Sequence, residues 1–400
     1  MRRLSTIASA AAVALPFALG SSTSCVDAAD ERVPGPTTDP WGGSSSSSEG
    51  LGGGGAGGPT AEGGAAQPSG GSGGVTANTG GAGGSVPTVP QGALGTSGDQ
   101  LTLDAEPRFL LGISYFSCLY ASHAHFKSDL DWLKAKGFQV LRCWVNWPIV
   151  YSTWDTDNPD NVVLVRADGT LDPDALGELE WILDQAAERQ MVIDVTFNQD
   201  TPPKTFAAHE NGIVAAATAL AGRRNLLFDL QNETSHYHTD PANFMSPEQV
   251  REVRDAVKAV DPERVTTASV TSTNALASFV STGELDLATY HCCRNNGGIT
   301  DWAAATTQAV AHARNAIAPA DLPIYFQEPN RCGSGGQYAD CTTGDEFVAA
   351  AVNAKTAGAA AWIFHNEASY DLRTATLASR LNAGEHDAVN RLAAALAGAP

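Results

Sequence analysis

Eight short apolar runs, each followed by a helical stretch, constrain the fold of this chain more than any other feature. The runs are 109–116, 140–147, 191–198, 225–233, 264–270, 285–293, 323–329 and 359–367. Most are nearly continuously apolar over their first half, as strands buried on both faces must be. The helices between them carry start and stop signals. Asp172 precedes Pro173, an N-cap followed by proline in the first helical position. Ser246 with Gln249, and Thr343 with Glu346, have the spacing of capping boxes. Gly137 and Gly358 sit where helices must end before the next strand. Strict βα alternation calls for a parallel sheet with right-handed crossovers. Eight repeats favour closure into a (β/α)8, or TIM, barrel over an open doubly wound sheet. A dinucleotide-binding reading fails as well, because no Gly-x-Gly-x-x-Gly follows the first strand.

The residues before the first run divide in two. Residues 1–24 read as a secretory signal: Arg2 and Arg3 form a basic start, and Ile7 to Gly20 is an apolar run too short to span a membrane. Cys25 follows small residues, which suits a lipidated cysteine after cleavage, although the usual Leu three positions earlier is missing. Ordinary cleavage nearby is the alternative. Residues 26–100 are dominated by Gly, Ser, Thr, Pro and Ala, a composition that buries too little apolar surface to offset its ordering entropy. This segment is expected to be a disordered tether. The barrel is then assigned to residues 101–400. The expected location is secreted or at the cell surface, including an outer-membrane lipoprotein of a bacterium.

The formal charge of −20 argues against a nucleic-acid partner, which rewards clustered Lys and Arg. Seven cysteines leave six if Cys25 is modified or removed: Cys118, Cys143, Cys292, Cys293, Cys332 and Cys341. An even count in an exported chain suggests disulfides, with Cys332 and Cys341 the best local pair across a Gly-rich loop. Zinc is less favoured, since no Cys-x-x-Cys occurs.

In a barrel the reactive end is the C-terminal end of the strands. The fourth run ends in Asn232 and Glu233, and the seventh ends in Glu328. These strands lie on opposite sides of an eight-stranded barrel, so the two carboxylates can face each other across a substrate. Glycoside hydrolysis needs such a pair, one to protonate the leaving oxygen and one to attack the sugar or activate water. A solvated Glu at a strand end is unremarkable alone; two, on the fourth and seventh strands, point to chemistry.

Residues 109–395 resemble the clan of barrel glycoside hydrolases with catalytic glutamates on strands four and seven, and within it glycoside hydrolase family 5, the cellulase and mannanase family. The run Leu227-Phe228-Asp229-Leu230-Gln231-Asn232-Glu233 carries the resemblance. It implies a retaining hydrolase of β-glycosidic bonds, with Glu233 as acid/base and Glu328 as nucleophile. Asn232 would bind the sugar 2-hydroxyl. Arg142 would hold Glu328 ionised, His291 would bind sugar or orient Glu328, and Trp362 would floor the sugar subsite. Trp144, Trp147 and Trp154 read as sugar platforms or packing, and Tyr237 as a cleft-lining residue.

The chain departs from the pattern at Cys293, where the family has Tyr, at Thr234, where it often has Pro, and at 197–200, where no His stands. Two His-x-His pairs, His123 with His125 and His236 with His238, lack the further ligands of a metal-dependent barrel hydrolase. No cofactor and no metal are expected. A carbohydrate is the expected partner, and a monomer the expected state. A transglycosylase using the same glutamates and a non-catalytic carbohydrate-binding barrel are the competing readings.

Overall fold

The computed structural model describes residues 92–148, 161–198, 204–234, 245–291, 299, 301–330 and 343–400. Eight parallel strands alternate with helices as the sequence pattern requires. They are β4 (Leu110–Ser114), β5 (Val140–Trp144), β6 (Val192–Thr196), β7 (Leu226–Asp229), β8 (Val265–Thr267), β9 (Ala288–Tyr290), β10 (Ile324–Phe326) and β11 (Ala361–Phe364). Their order runs β8-β7-β6-β5-β4-β11-β10-β9. The ends meet: a parallel bridge joins Val270 to Tyr290, and Thr267 Oγ1 lies 2.6 Å from Thr289 Oγ1. The sheet is therefore closed into a (β/α)8 barrel.

The surrounding helices are α1 (His123–Ala135), α2 (Pro173–Glu188), α3 (Phe206–Ala219), α4 (Pro247–Val260), α5 (Thr273–Gly283), α6 (Trp302–Ile317), α7 (Gly344–Thr356), a short α8 (Leu377–Arg380) and α9 (Ala383–Gly398). Asp172 caps α2, and the boxes Ser246/Gln249 and Thr343/Glu346 close the starts of α4 and α7. Gly137 and Gly358 follow α1 and α7 with φ of 82° and 92°, a conformation that costs glycine little and ends each helix before its strand.

The strand period of two sorts every barrel strand into two faces. One face packs outward on the helices: Ile113, Leu141, Cys143, Ile193, Val195, Phe228, Phe326, Trp362 and Phe364 share that large cluster. The other turns inward. At the N-terminal end it is apolar, with Leu110, Val140, Val192, Leu227, Val265, Leu287, Tyr325 and Ile363 in one cluster.

That cluster also includes Leu94, Leu101 and Leu103. They come from a small antiparallel sheet of β1 (Leu94–Ser97), β2 (Gln100–Leu103) and β3 (Glu106–Pro107) that floors the barrel. The tether expected over residues 26–100 therefore gives way to folded chain before its assigned end. Burial of Leu94 against the barrel floor anchors this stretch, which a Gly- and Ser-rich composition conceals.

Cys118 and Cys143 are buried free thiols. The other five cysteines, and with them the expected Cys332–Cys341 pair and the Cys25 modification, lie outside the described residues. So do residues 1–91, Tyr237, Trp154 and the His236/His238 pair.

Candidate active site

At the C-terminal end of the barrel the inward face turns polar and charged. Arg142 on β5 is fully buried and fans its donors across the mouth. Nη1 donates to Glu328 Oε1. Nη2 donates to Asn232 Oδ1 at 2.6 Å and to Asp229 Oδ2 at 3.3 Å, and Nε donates to Thr196 Oγ1 at 3.1 Å. The Trp144 ring covers the guanidinium, 3.9 Å from Cζ to the ring centroid. A planar fork with five donors is the group that can serve several oxygens at once.

Glu233 follows β7 in a left-handed conformation, φ 46°, unusual for a residue with a side chain. Such strain costs about 1–3 kcal/mol and persists only where neighbours hold it. Here the Glu233 amide donates to Ser269 Oγ at 2.9 Å, and the Thr234 amide donates to Ser269 O at 3.1 Å. The kink aims the Glu233 carboxyl at His291, whose Nδ1 lies 2.8 Å from Glu233 Oε1. The same Nδ1 is 3.7 Å from Glu328 Oε1. One acceptor or donor atom each from Glu233, His291 and Glu328 falls within 4.8 Å of the others. Strands four and seven thus bring the two glutamates together. A cation among these three would lie against the Arg142 guanidinium, which already engages Glu328, so the arrangement suits proton exchange better than metal binding.

Beneath this pair lies a second tier of charge. Asp194 on β6 accepts from Tyr325 OH at 2.9 Å and from Gln327 Nε2 at 2.7 Å, both on Oδ2. Burial pushes its carboxyl up to about 6 despite the opposing Arg142 cation, with Asp229 adding to the rise. Burial likewise raises Asp229, again against Arg142. One guanidinium cannot balance three buried carboxylates, and the deeper two take up the deficit by holding protons more tightly.

The sequence missed three participants. His365, just past β11, places Nε2 at 3.5 Å from Glu328 Oε2 and is braced by Ser114 Oγ, 3.2 Å from its Nδ1. Gln327, beside the nucleophile candidate, links Asp194 to His291. Asp194 is the third: it stands in register with Arg142, while Gln327 and His365 each lie two residues past an inward residue, Tyr325 and Ile363.

Two expected roles change, and for Trp144 packing is the alternative that holds. Trp362 was expected to floor a sugar subsite. Instead it is fully buried on the outer face of β11, packed toward the helices with Phe364. It sits one residue out of phase with Ile363 and His365, which point inward. His291 approaches Glu233 more closely than Glu328. Trp144 is 2% exposed, stacked on Phe116 at 3.8 Å between centroids, in a cluster with Trp147 and Tyr370. It braces Arg142 from within that stack. His123, the first of the His-x-His pair, stacks on Trp181 at 3.6 Å and pairs with Glu178 at 2.8 Å on α1 and α2, apart from the charged tier around Arg142.

Against known proteins, no family model and no curated protein sequence matches the chain. Solved structures do. The barrel is similar to the endo-1,4-β-mannanase of Rhizomucor miehei, at 15% identity and TM-score 0.53, covering 76% of this chain and 99% of that one. It is similar to the β-mannanase of the blue mussel Mytilus edulis, at 15% identity and TM-score 0.50, covering 75% and 96%. A family 5 glycoside hydrolase from Bacteroides vulgatus matches at 12% identity and TM-score 0.52, covering 72% of this chain and 64% of that one. At these identities the likeness establishes the (β/α)8 fold.

Proposed function

We propose that the chain is a retaining glycoside hydrolase cleaving β-glycosidic bonds of a poly- or oligosaccharide, with Glu233 as acid/base and Glu328 as nucleophile. The observation that carries this reading is the approach of the two carboxyl groups across the barrel mouth, within 4.8 Å between ligating atoms. A retaining mechanism needs carboxyls about 5–5.5 Å apart, whereas an inverting one needs about 6.5–9.5 Å to admit a water.

In the first half-reaction Glu328 attacks the anomeric carbon while Glu233 protonates the departing glycosidic oxygen. In the second, Glu233 takes a proton from water, the hydroxide attacks the same carbon, and the ester bond to Glu328 breaks. Arg142 keeps Glu328 anionic and pointed inward, because a buried carboxylate beside a guanidinium is favoured in its charged form. Asn232, fixed by Arg142, is offered to the sugar beside the reacting carbon. No cofactor enters this scheme.

The mannanases among the structural neighbours make β-mannans the first substrates to try, beside β-glucans and xylans. Residues 1–24, read as an export signal, and the Gly/Ser-rich stretch after them suit an enzyme held at a surface and acting on external glycans, a location proposed together with the activity. The test is reducing-sugar release from this panel by the native chain and its Glu328→Ala variant. Activity in the native chain alone is expected; equal release by both sinks the nucleophile assignment. Added acceptor sugars distinguish hydrolysis from transglycosylation.

A further inference from the structure

Gln327 is the residue whose role no part of the two-glutamate scheme explains. Its side chain turns into the barrel between two different kinds of partner. Nε2 donates to Asp194 Oδ2 at 2.7 Å, and the amide also hydrogen-bonds Asp229. Ionised carboxylates only accept, so the NH2 end of the amide must face them. That leaves Oε1 toward His291 Nε2, at 2.7 Å. A carboxamide oxygen also only accepts, so His291 carries hydrogen on Nε2.

The consequence appears at the other ring nitrogen. In a neutral imidazole protonated on Nε2, Nδ1 is a lone pair. Nδ1 lies 2.8 Å from Glu233 Oε1. A lone pair facing a carboxylate oxygen at that distance makes no hydrogen bond, so a further proton must lie between them. It resides on Glu233 with neutral His291, or on His291 with ionised Glu233.

We propose that Gln327 is a positioning residue that locks His291 as its Nε2–H form and thereby holds one proton in the Glu233–His291 pair, the proton that leaves for the glycosidic oxygen. Its destination rests on the glycosidase reading; the lock does not. As the C–O bond breaks, the pair's proton passes through Glu233 to the departing oxygen. The pair is then a carboxylate facing a lone pair. It regains a proton from the incoming water as that water's oxygen bonds the anomeric carbon and Glu328 departs. The incoming water's proton thus restores the hydrogen bond between the carboxylate and the lone pair.

The charges around the ring agree. Glu328 Oε1 from β10 lies 3.7 Å from Nδ1, and Asp229 from β7 interacts with the ring. Asp194 from β6 stands behind Gln327, His365 from β11 faces Glu328, and the Arg142 cation from β5 lies beyond Glu328 and Asp229. The nearest charged groups to the ring are therefore the carboxyls of Glu233, Glu328 and Asp229.

The test has two arms on the full chain. In the first, Gln327→Met removes the Nε2 acceptor at similar length. Neutral His291 is then free to carry hydrogen on Nδ1 and donate to an ionised Glu233. The pair releases its extra proton more easily, and the basic limb of kcat/KM against pH moves to lower pH by about one unit. Gln327→Glu keeps an acceptor oxygen and is expected to leave that limb at or above its native position. A folded Gln327→Met variant with an unmoved basic limb overturns the proposal.

In the second arm, the chain is labelled with 15N-histidine, and the His291 signals are identified by their loss in His291→Gln. At high pH the native chain is expected to show hydrogen on Nε2 of His291, and Gln327→Met is expected to show it on Nδ1. Hydrogen on Nδ1 in the native chain overturns the lock whatever the activity. If no substrate is turned over, the glycosidase reading fails while this second arm still decides the tautomer.

Discussion

Arg142 and Glu328 lie three strands apart around the barrel, on β5 and after β10, yet their charged groups are in direct contact, Nη1 donating to Oε1. The same guanidinium holds Asn232 and Asp229. A lysine keeps the charge but not the fork. Arg142→Lys is therefore expected to fold, to lose at least one charge-assisted bond, and to lower kcat/KM by about tenfold to a hundredfold. Arg142→Ala leaves three buried carboxylates without their cation and is expected to cost about 3–5 kcal/mol of stability. Steady-state kinetics and urea unfolding measure the two. Undiminished activity in Arg142→Lys would remove Arg142 from the site.

In the proposed mechanism Glu233 separates the two half-reactions. Glu233→Ala is expected to lose about 10²–10⁴-fold in rate on substrates with poor leaving groups, the usual worth of a general acid. On an activated aryl glycoside the first half-reaction needs no proton, so the glycosyl-enzyme builds up. Azide, which needs no base, is expected to relieve that block and give the β-glycosyl azide. Product analysis by NMR reads the anomer. An α-azide, or no rescue at all, would contradict the assignment of Glu233 in a retaining mechanism.

The barrel was legible because its strands are buried on both faces, and eight apolar runs therefore stand out between helical segments. Their ends were less legible. Run 225–233 contains only β7, Leu226–Asp229, because the chain leaves the sheet and kinks to aim Glu233. The floor strands escaped notice because β1, Leu-Gly-Thr-Ser, looks like tether and β2 and β3 are only four and two residues long; the contact of Leu94, Leu101 and Leu103 with the barrel interior sets them apart. The glutamate pair was visible as polar ends on apolar strands. The supporting residues Asp194, Gln327 and His365 were visible only to alternation. Counting by twos from Arg142 separates inward Trp144 from outward Cys143. The same count along β11 puts Ile363 and His365 inward and Trp362 outward. Likeness of a tryptophan's place in the chain outweighed that parity, and misplaced it.

The parity of Trp362 has a measurable consequence. Its ring fills space between β11 and the helices, so truncation creates a cavity. Trp362→Ala is expected to destabilise the chain by about 3–5 kcal/mol while leaving KM unchanged. Thermal unfolding and substrate titration together check this. A raised KM with native stability would restore the tryptophan to the sugar site.

His209 on α3 ties acid stability to Leu230, just past β7. Its Nε2 donates to Leu230 O at 2.9 Å, while Nδ1 is buried with no partner. Burial, assisted by the nearby Lys204 cation, lowers its pKa to about 3. An unfolded histidine titrates near 6.5. Between those values the unfolded chain binds the extra proton, so the stabilising contribution is complete above about 6.5 and is lost as pH falls toward 3. Asp194 acts in the opposite direction. Its raised pKa of about 6 gives a contribution present below the unfolded value of 3.8 and lost as pH rises through 6. His209→Gln keeps a donor for Leu230 O and removes the titration. Native stability is therefore expected to fall relative to His209→Gln by about 3 kcal/mol between pH 7 and pH 4. Urea unfolding of both proteins across that range reads the difference, and parallel pH slopes would show that His209 is not the group responsible.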